Sequence, residues 1–207
     1  MAIGGSARVG LAIVALAVCG AEASAAQAAP PQLYWTIQTG LTSGSIGAAN
    51  LDGSQQTTSF VPSAPGPNDI AVDGQHVYWT NNVVGTSGSI AEANLNGTGV
   101  NESFITTAAV QPLGVAVGGG YIYWFNHNQT IGRASLADPG DPDQSFIANA
   151  GDPNGAGIAV DGQHLYWAIP YNDAIGEALI SDPSGATNTF ITGTSEGEAV
   201  AVDGQRI

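Results

Sequence analysis

The phrase VDGQHVYW at residues 72–79 returns as VDGQHLYW at residues 160–167, and this recurrence restricts the fold more than any other feature of the chain. A fixed period marks a structural unit that cannot bury its apolar face alone and stacks on copies of itself. A Tyr-Trp pair recurs at Tyr34-Trp35, Tyr78-Trp79, Tyr123-Trp124 and Tyr166-Trp167, at steps of 44, 45 and 43 residues, and these pairs use every tryptophan. A Phe followed by Val or Ile recurs at Phe60-Val61, Phe104-Ile105, Phe146-Ile147 and Phe190-Ile191, leaving only Phe125 outside the pattern. The aromatic residues are thus parts of the repeat and not a cofactor box.

Each repeat divides into four short strand-like runs. The first is Ile70-Ala71-Val72, echoed at Val115-Ala116-Val117, Ile158-Ala159-Val160 and Val200-Ala201-Val202. An Asp-Gly step follows at Asp73-Gly74, Asp161-Gly162 and Asp203-Gly204, with Gly118-Gly119 standing in once; Asp-Gly suits a hairpin turn because it tolerates positive φ. The second run carries Tyr-Trp, the third begins at Ile46, Ile90, Ile131 and Ile175, and the fourth carries the Phe. Four strands in about 44 residues predict one propeller blade. The expected fold is all-β: a propeller of four-stranded antiparallel blades over residues 30–207, with repeats at about 33–76, 77–121, 122–164 and 165–207. Stacked blades cover a middle strand on both sides, so adjacent Tyr and Trp are both buried although they face opposite ways. The Ala of each first run suits the crowded innermost strand.

Residues 1–29 read differently. Arg8 supplies one positive charge, residues 9–21 form an apolar run, and AEASAAQAA follows. That order is the pattern of a secretory signal peptide, cleaved between residues 23 and 29, and the run is too short for a membrane span. The expected destination is secreted, extracellular or periplasmic. The only cysteine, Cys19, lies within the run, so the exported domain holds together by packing and not by disulfides. Three basic and seventeen acidic residues give a formal net charge of −14. Such a surface repels phosphate backbones and anionic lipid, which argues against nucleic-acid and membrane binding; it also serves solubility alone.

The Tyr-Trp pairs, followed by lines such as SIAEANLNGTG, resemble the YWTD repeats of the low-density lipoprotein receptor class B group and, more loosely, NHL-like and virginiamycin B lyase-like bacterial propellers. The resemblance implies a propeller that binds proteins, sugars or small molecules, or in some members acts as an enzyme. It also implies an Asp in the fourth motif position that packs between blades. Here that position holds Ile37, Asn81, Asn126 and Ile169, so the inter-blade hydrogen bonds must be arranged differently. Six blades are the family's usual number against four repeats here. Joining Leu33 to the closing GEAVAVDGQRI would complete a mixed blade and a four-bladed ring; the alternative is an open arc of a larger propeller, whose exposed faces would self-associate.

Binding is expected at the end formed by the second-to-third and fourth-to-first connections, which vary between repeats while the Asp-Gly end is constant. The residues expected to meet a protein or carbohydrate ligand there are Asn81, Asn126, His127, Tyr171 and Asn172. Asp69, Asp152, Asp173, Glu196 and Glu198 fall on the same rim and would hold calcium or magnesium through oxygen ligands if they converge; the plainer reading is a solvated acidic rim with no cofactor. His76 and His164 belong to the repeated phrase and read as structural. DPGDPD at residues 138–143 reads as a stiff turn. No metal, phosphate or dinucleotide motif is complete. The leading expectation is therefore a non-catalytic binding module. The alternative is a metal-assisted lyase or hydrolase with His127 as its general base.

Overall fold

The computed structural model describes residues 8–12, 32–83, 88–106, 111–153 and 157–207. The expected cleavage zone and Cys19 lie outside these residues. Among the described residues sixteen strands form four sheets of four. The first blade is β1 (Arg8–Ala12), β2 (Gln32–Gly40), β3 (Ser43–Asn50) and β4 (Thr57–Val61). The second is β5 (Pro67–Val72), β6 (His76–Asn81), β7 (Ser89–Asn94) and β8 (Asn101–Ile105). The third is β9 (Pro112–Gly118), β10 (Tyr121–Asn126), β11 (Ile131–Ser135) and β12 (Asp143–Ile147). The fourth is β13 (Ile158–Val160), β14 (His164–Ile169), β15 (Ala174–Leu179) and β16 (Asp182–Thr192). Neighbours within each blade are antiparallel and consecutive, as a β-propeller requires.

The Tyr-Trp logic holds in three dimensions. Tyr34 shares a core with Trp79, Tyr78 with Trp124, and Tyr123 with Trp167, so each blade offers a tyrosine face to the tryptophan face of the next. Trp79, Trp124 and Trp167 are fully buried. Each Trp stands opposite a small residue of the third strand, Gly47, Ala91, Gly132 or Gly176. At Gly132 and Gly176 a Cβ would run into the indole, so the flat ring lies directly over bare backbone.

Packing runs from β1 and β2 to β5, from β5 to β9 and from β9 to β13, and no comparable contact among the described residues joins the fourth blade to the first. The blades therefore form an open arc and not a closed four-bladed ring. The expected clasp is also absent. Arg8–Ala12, expected within the leader, holds the inner-strand place beside Trp35 and Tyr34, while residues 198–203 form no strand. Those closing residues instead line the central channel beside β5, β9 and β13.

Two of the three Asp-Gly turns differ in mechanism from the expectation. Gly74 and Gly162 do not adopt positive φ, whereas Gly204 does. The four-residue turn is held by the aspartate: Asp73 Oδ1 accepts the N–H groups of Gln75 and His76, and Asp161 and Asp203 repeat the arrangement. At Asp73 and Asp161 the carboxylate that caps two amides fixes the turn without a positive φ at the glycine. In the third blade Gly118 pairs with Tyr121, so the two-residue loop is Gly119-Gly120, and there both glycines have positive φ.

Candidate functional site

The variable connections meet at one end of the arc and are bound to one another through the backbone. The Ala64 N–H donates to Gly44 O, the Asn82 N–H to Gly66 O, the His127 N–H to Gln111 O, and the Ala150 N–H to Gln129 O. Each fourth-to-first loop is thus tied to a second-to-third loop, giving a continuous rim on a rigid scaffold. In the fourth blade the Gly193 and Thr194 N–H groups both donate to Asp173 O, and the Glu196 N–H donates to Asp173 Oδ1 at 2.8 Å.

From this rim large side chains stand in solvent. Leu41 is 69% exposed at the tip of the β2–β3 turn, and Tyr171 is 67% exposed on the 3-10 turn Pro170–Asn172. His127 and Asn172 are exposed as well. Four residues of the corresponding second-blade loop, 84–87, lie outside the described residues.

Asn81 and Asn126 do not belong to this surface, which corrects the expectation. Both are buried, because the fourth motif position faces into the blade. Asn81 Nδ2 donates to Ser89 Oγ at 3.1 Å and to Glu102 Oε2 at 2.8 Å, and Asn126 Nδ2 donates to Thr130 Oγ1 at 3.0 Å. Their Nδ2 groups tie the second strand to the third and fourth, and Glu102, raised above the usual carboxylate range by burial, accepts from Asn81.

Asp152, Asp173, Glu196 and Glu198 are exposed on the rim, and Glu198 contributes its backbone carbonyl to the Gly157 N–H at 2.7 Å. No group of three or more His, Cys, Asp or Glu residues able to hold a metal occurs among the described residues. Asp69 does something else. Its Oδ2 accepts the Val115 N–H of the next blade at 2.9 Å, and desolvation lifts its carboxyl to about 6 against the lowering effect of the Val115 and Ile70 amides.

Asp69 is one strand of a lacing that sequence reading missed. Thr80 Oγ1 accepts the Asp69 N–H at 3.0 Å and donates to Leu113 O at 2.7 Å; Asn68 Nδ2 donates to the same carbonyl at 3.1 Å; Thr36 Oγ1 donates to Asn68 O at 3.1 Å. The third motif position and the Asn-Asp step before the inner strand thereby join the first three blades. This is how the chain manages without an Asp in the fourth motif position. The signal was visible in the Thr of Tyr-Trp-Thr at Thr36 and Thr80, and in its loss to Phe125 and Ala168.

His127 enters no ion pair among those of the described residues, which join His164 to Asp161 and Glu177, and Arg206 to Asp203. His164, at the constant end, lies with Nε2 3.4 Å from Glu177 Oε1 and Nδ1 3.6 Å from Asp161 Oδ1.

No family model and no curated protein matches the chain. Solved structures do. A chain of a nidogen/laminin complex superposes with TM-score 0.69 at 24% identity, over 84% of this chain and 65% of that one. A catalytically inactive virginiamycin B lyase from Staphylococcus aureus with quinupristin gives TM-score 0.57 at 21% identity, over 80% and 54%. A gluconolactonase from Xanthomonas campestris gives 0.52 at 16%, over 77% and 60%. At these identities the likeness shows the fold alone, a β-propeller. The chain spans less than two thirds of the length of these structures.

Proposed function

We propose that this chain is an exported binding module that takes a protein or carbohydrate ligand on its variable-loop rim. The observation that carries the reading is the set of exposed large side chains, Leu41, His127 and Tyr171, on loops that are fixed by backbone hydrogen bonds. A rigid rim with a nearly free tyrosine presents amphipathic contact area at little cost in conformational entropy, which suits stacking on a sugar or a peptide. The likeness to a propeller solved in a protein complex supports the protein arm of the reading. The order of charged, apolar and small residues in positions 1–29 supports export.

The likeness to a lyase supports a second reading, metal-assisted elimination or hydrolysis with His127 as base. Binding is preferred because the exposed large side chains offer contact area directly, while Asp173, a carboxylate the second reading would use, is engaged by the Glu196 backbone. The test is a glycan array and a random-peptide display screen, each run with the wild-type chain and with Tyr171→Ala. Hits that vanish with Tyr171→Ala and persist with a chelator support the module. Hits indifferent to Tyr171, or ligand turnover that needs calcium or magnesium, overturn it.

A further inference from the structure

The three seams between adjacent blades share one register, and at the constant end the first of them is left open. Opposite the repeated tyrosine, the third strand presents Ala48 to Tyr34, Glu92 to Tyr78 and Arg133 to Tyr123. In the second and third blades the long side chain fills the space it faces. Glu92 lies against His76 and Asn101, and the Arg133 guanidinium stacks 4.8 Å from the Tyr121 ring centre and 4.1 Å from that of Phe146. Ala48 cannot reach so far. In its place a pocket of about 340 Å³ opens between the first and second blades, bordered by Gln32, Ala48, Gln55, Phe60, Leu95 and Asn96. That volume lies at the small end of the range for ligand sites, roughly 300–1,000 Å³.

The polar groups of this pocket have bonding capacity left over. Gln32 Oε1 is buried with no hydrogen-bond partner among the described residues, and a buried acceptor left unmade costs free energy that a ligand's donor would restore. Asn96 spends its Oδ1 on the N–H and the hydroxyl of Thr98, which leaves its NH2 group as a donor. Gln55 is held at φ 55° in the place where the second blade has Gly99 at φ 67°. The left-handed region strains a glutamine and not a glycine; what the glutamine adds is an amide side chain at the lip of the pocket. Phe60 completes the floor, since its counterpart Phe146 is covered by Arg133 while Phe60 borders the opening.

We propose that this pocket is a second binding site, at the opposite end of the blades from the variable-loop rim, and that it takes a neutral monosaccharide. No charged residue among those described borders it, so an ionised ligand would lose hydration there without gaining a counter-charge. A sugar matches what is offered. Its hydroxyls donate and accept, as the amides of Gln32, Gln55 and Asn96 require, and its C–H face lies against the apolar floor of Phe60 and Leu95.

Saturation-transfer NMR of the full chain with D-glucose, D-galactose and N-acetylglucosamine, each at about 5 mM to detect millimolar affinities, tests the proposal, with glucosamine and glucuronate as charged controls. Expected is transfer to at least one neutral sugar, stronger than to either control. Ala48→Glu, which gives the first blade the residue that the second carries, is expected to abolish it, and Tyr171→Ala on the rim to leave it unchanged. Gln55→Gly is expected to weaken the signal while raising the melting temperature, because it removes the backbone strain. Near-UV circular dichroism reports whether Ale48 variants fold; if Ala48→Glu does not, Gln55→Gly decides. Silence from all three neutral sugars, a preference for either charged one, or a signal that survives Ala48→Glu in a folded chain overturns the proposal. A signal that survives Ala48→Glu and vanishes with Tyr171→Ala would place the sugar on the rim, overturning this site and leaving the rim reading intact.

Discussion

Asp69 and Thr80 show how single side chains hold adjacent blades in register. The Asp69 carboxyl titrates at about 6 against an ordinary 3.8, so the folded chain binds this proton more tightly than the unfolded chain does. Stability therefore falls as pH rises from about 4 through about 6. Asp69→Asn leaves an oxygen for the Val115 N–H and removes the desolvated charge. At pH 7 the variant is expected to be more stable than wild type by at most about 3 kcal/mol, and at pH 4 the two should coincide. Denaturant melts between these values check it; curves that stay parallel across the range contradict it. Thr80 is buried with its hydroxyl bonded on both sides. Thr80→Val strands the Asp69 amide and leaves the Leu113 carbonyl to Asn68 alone, and should cost about 1–3 kcal/mol, whereas Thr80→Ser should cost much less. Equal losses in the two would mean that packing of the methyl, and not the hydroxyl, holds the site.

At the scale of strands and blades, the Trp strand is where the energy is concentrated. Trp124 lies fully buried between the second and third blades, so Trp124→Ala should lower stability by about 3–5 kcal/mol, the range for a large core truncation. Trp35 is only half-buried, and Trp35→Ala should cost clearly less. Equal costs in urea melts would show that something covers the leading face. Much of this level could be read in the residues, because a blade is a local unit: the four runs, the Asp turns and the paired burial of Tyr and Trp follow from period and alternation alone. The lacing could not be read that way. Thr80 and Leu113 are 33 positions apart and meet only because blades stack. The fate of Asn81 and Asn126 was hidden for another reason: alternation leaves open whether the inward side chain finds a ligand or, as here, Glu102 and Thr130 of its own blade. The rim residues His127, Tyr171 and Asn172 were legible because they break the repeat.

For the whole molecule, the decisive property is that an open arc has two inner blades covered on both faces and two outer ones covered on one. In a stacked array each unit is stabilised mainly by its neighbours, so local opening should follow position along the stack. Closure was undetermined by sequence because the count of repeats does not fix the angle between blades. Amide hydrogen exchange read by mass spectrometry, at a dilution where the chain is monomeric, measures this directly. The account expects the slowest exchange in β6 and β10, faster exchange in β14, and the fastest in β16 and β1. Equal protection of the outer and inner blades in the monomer would mean that the ends meet, and would contradict the open arc.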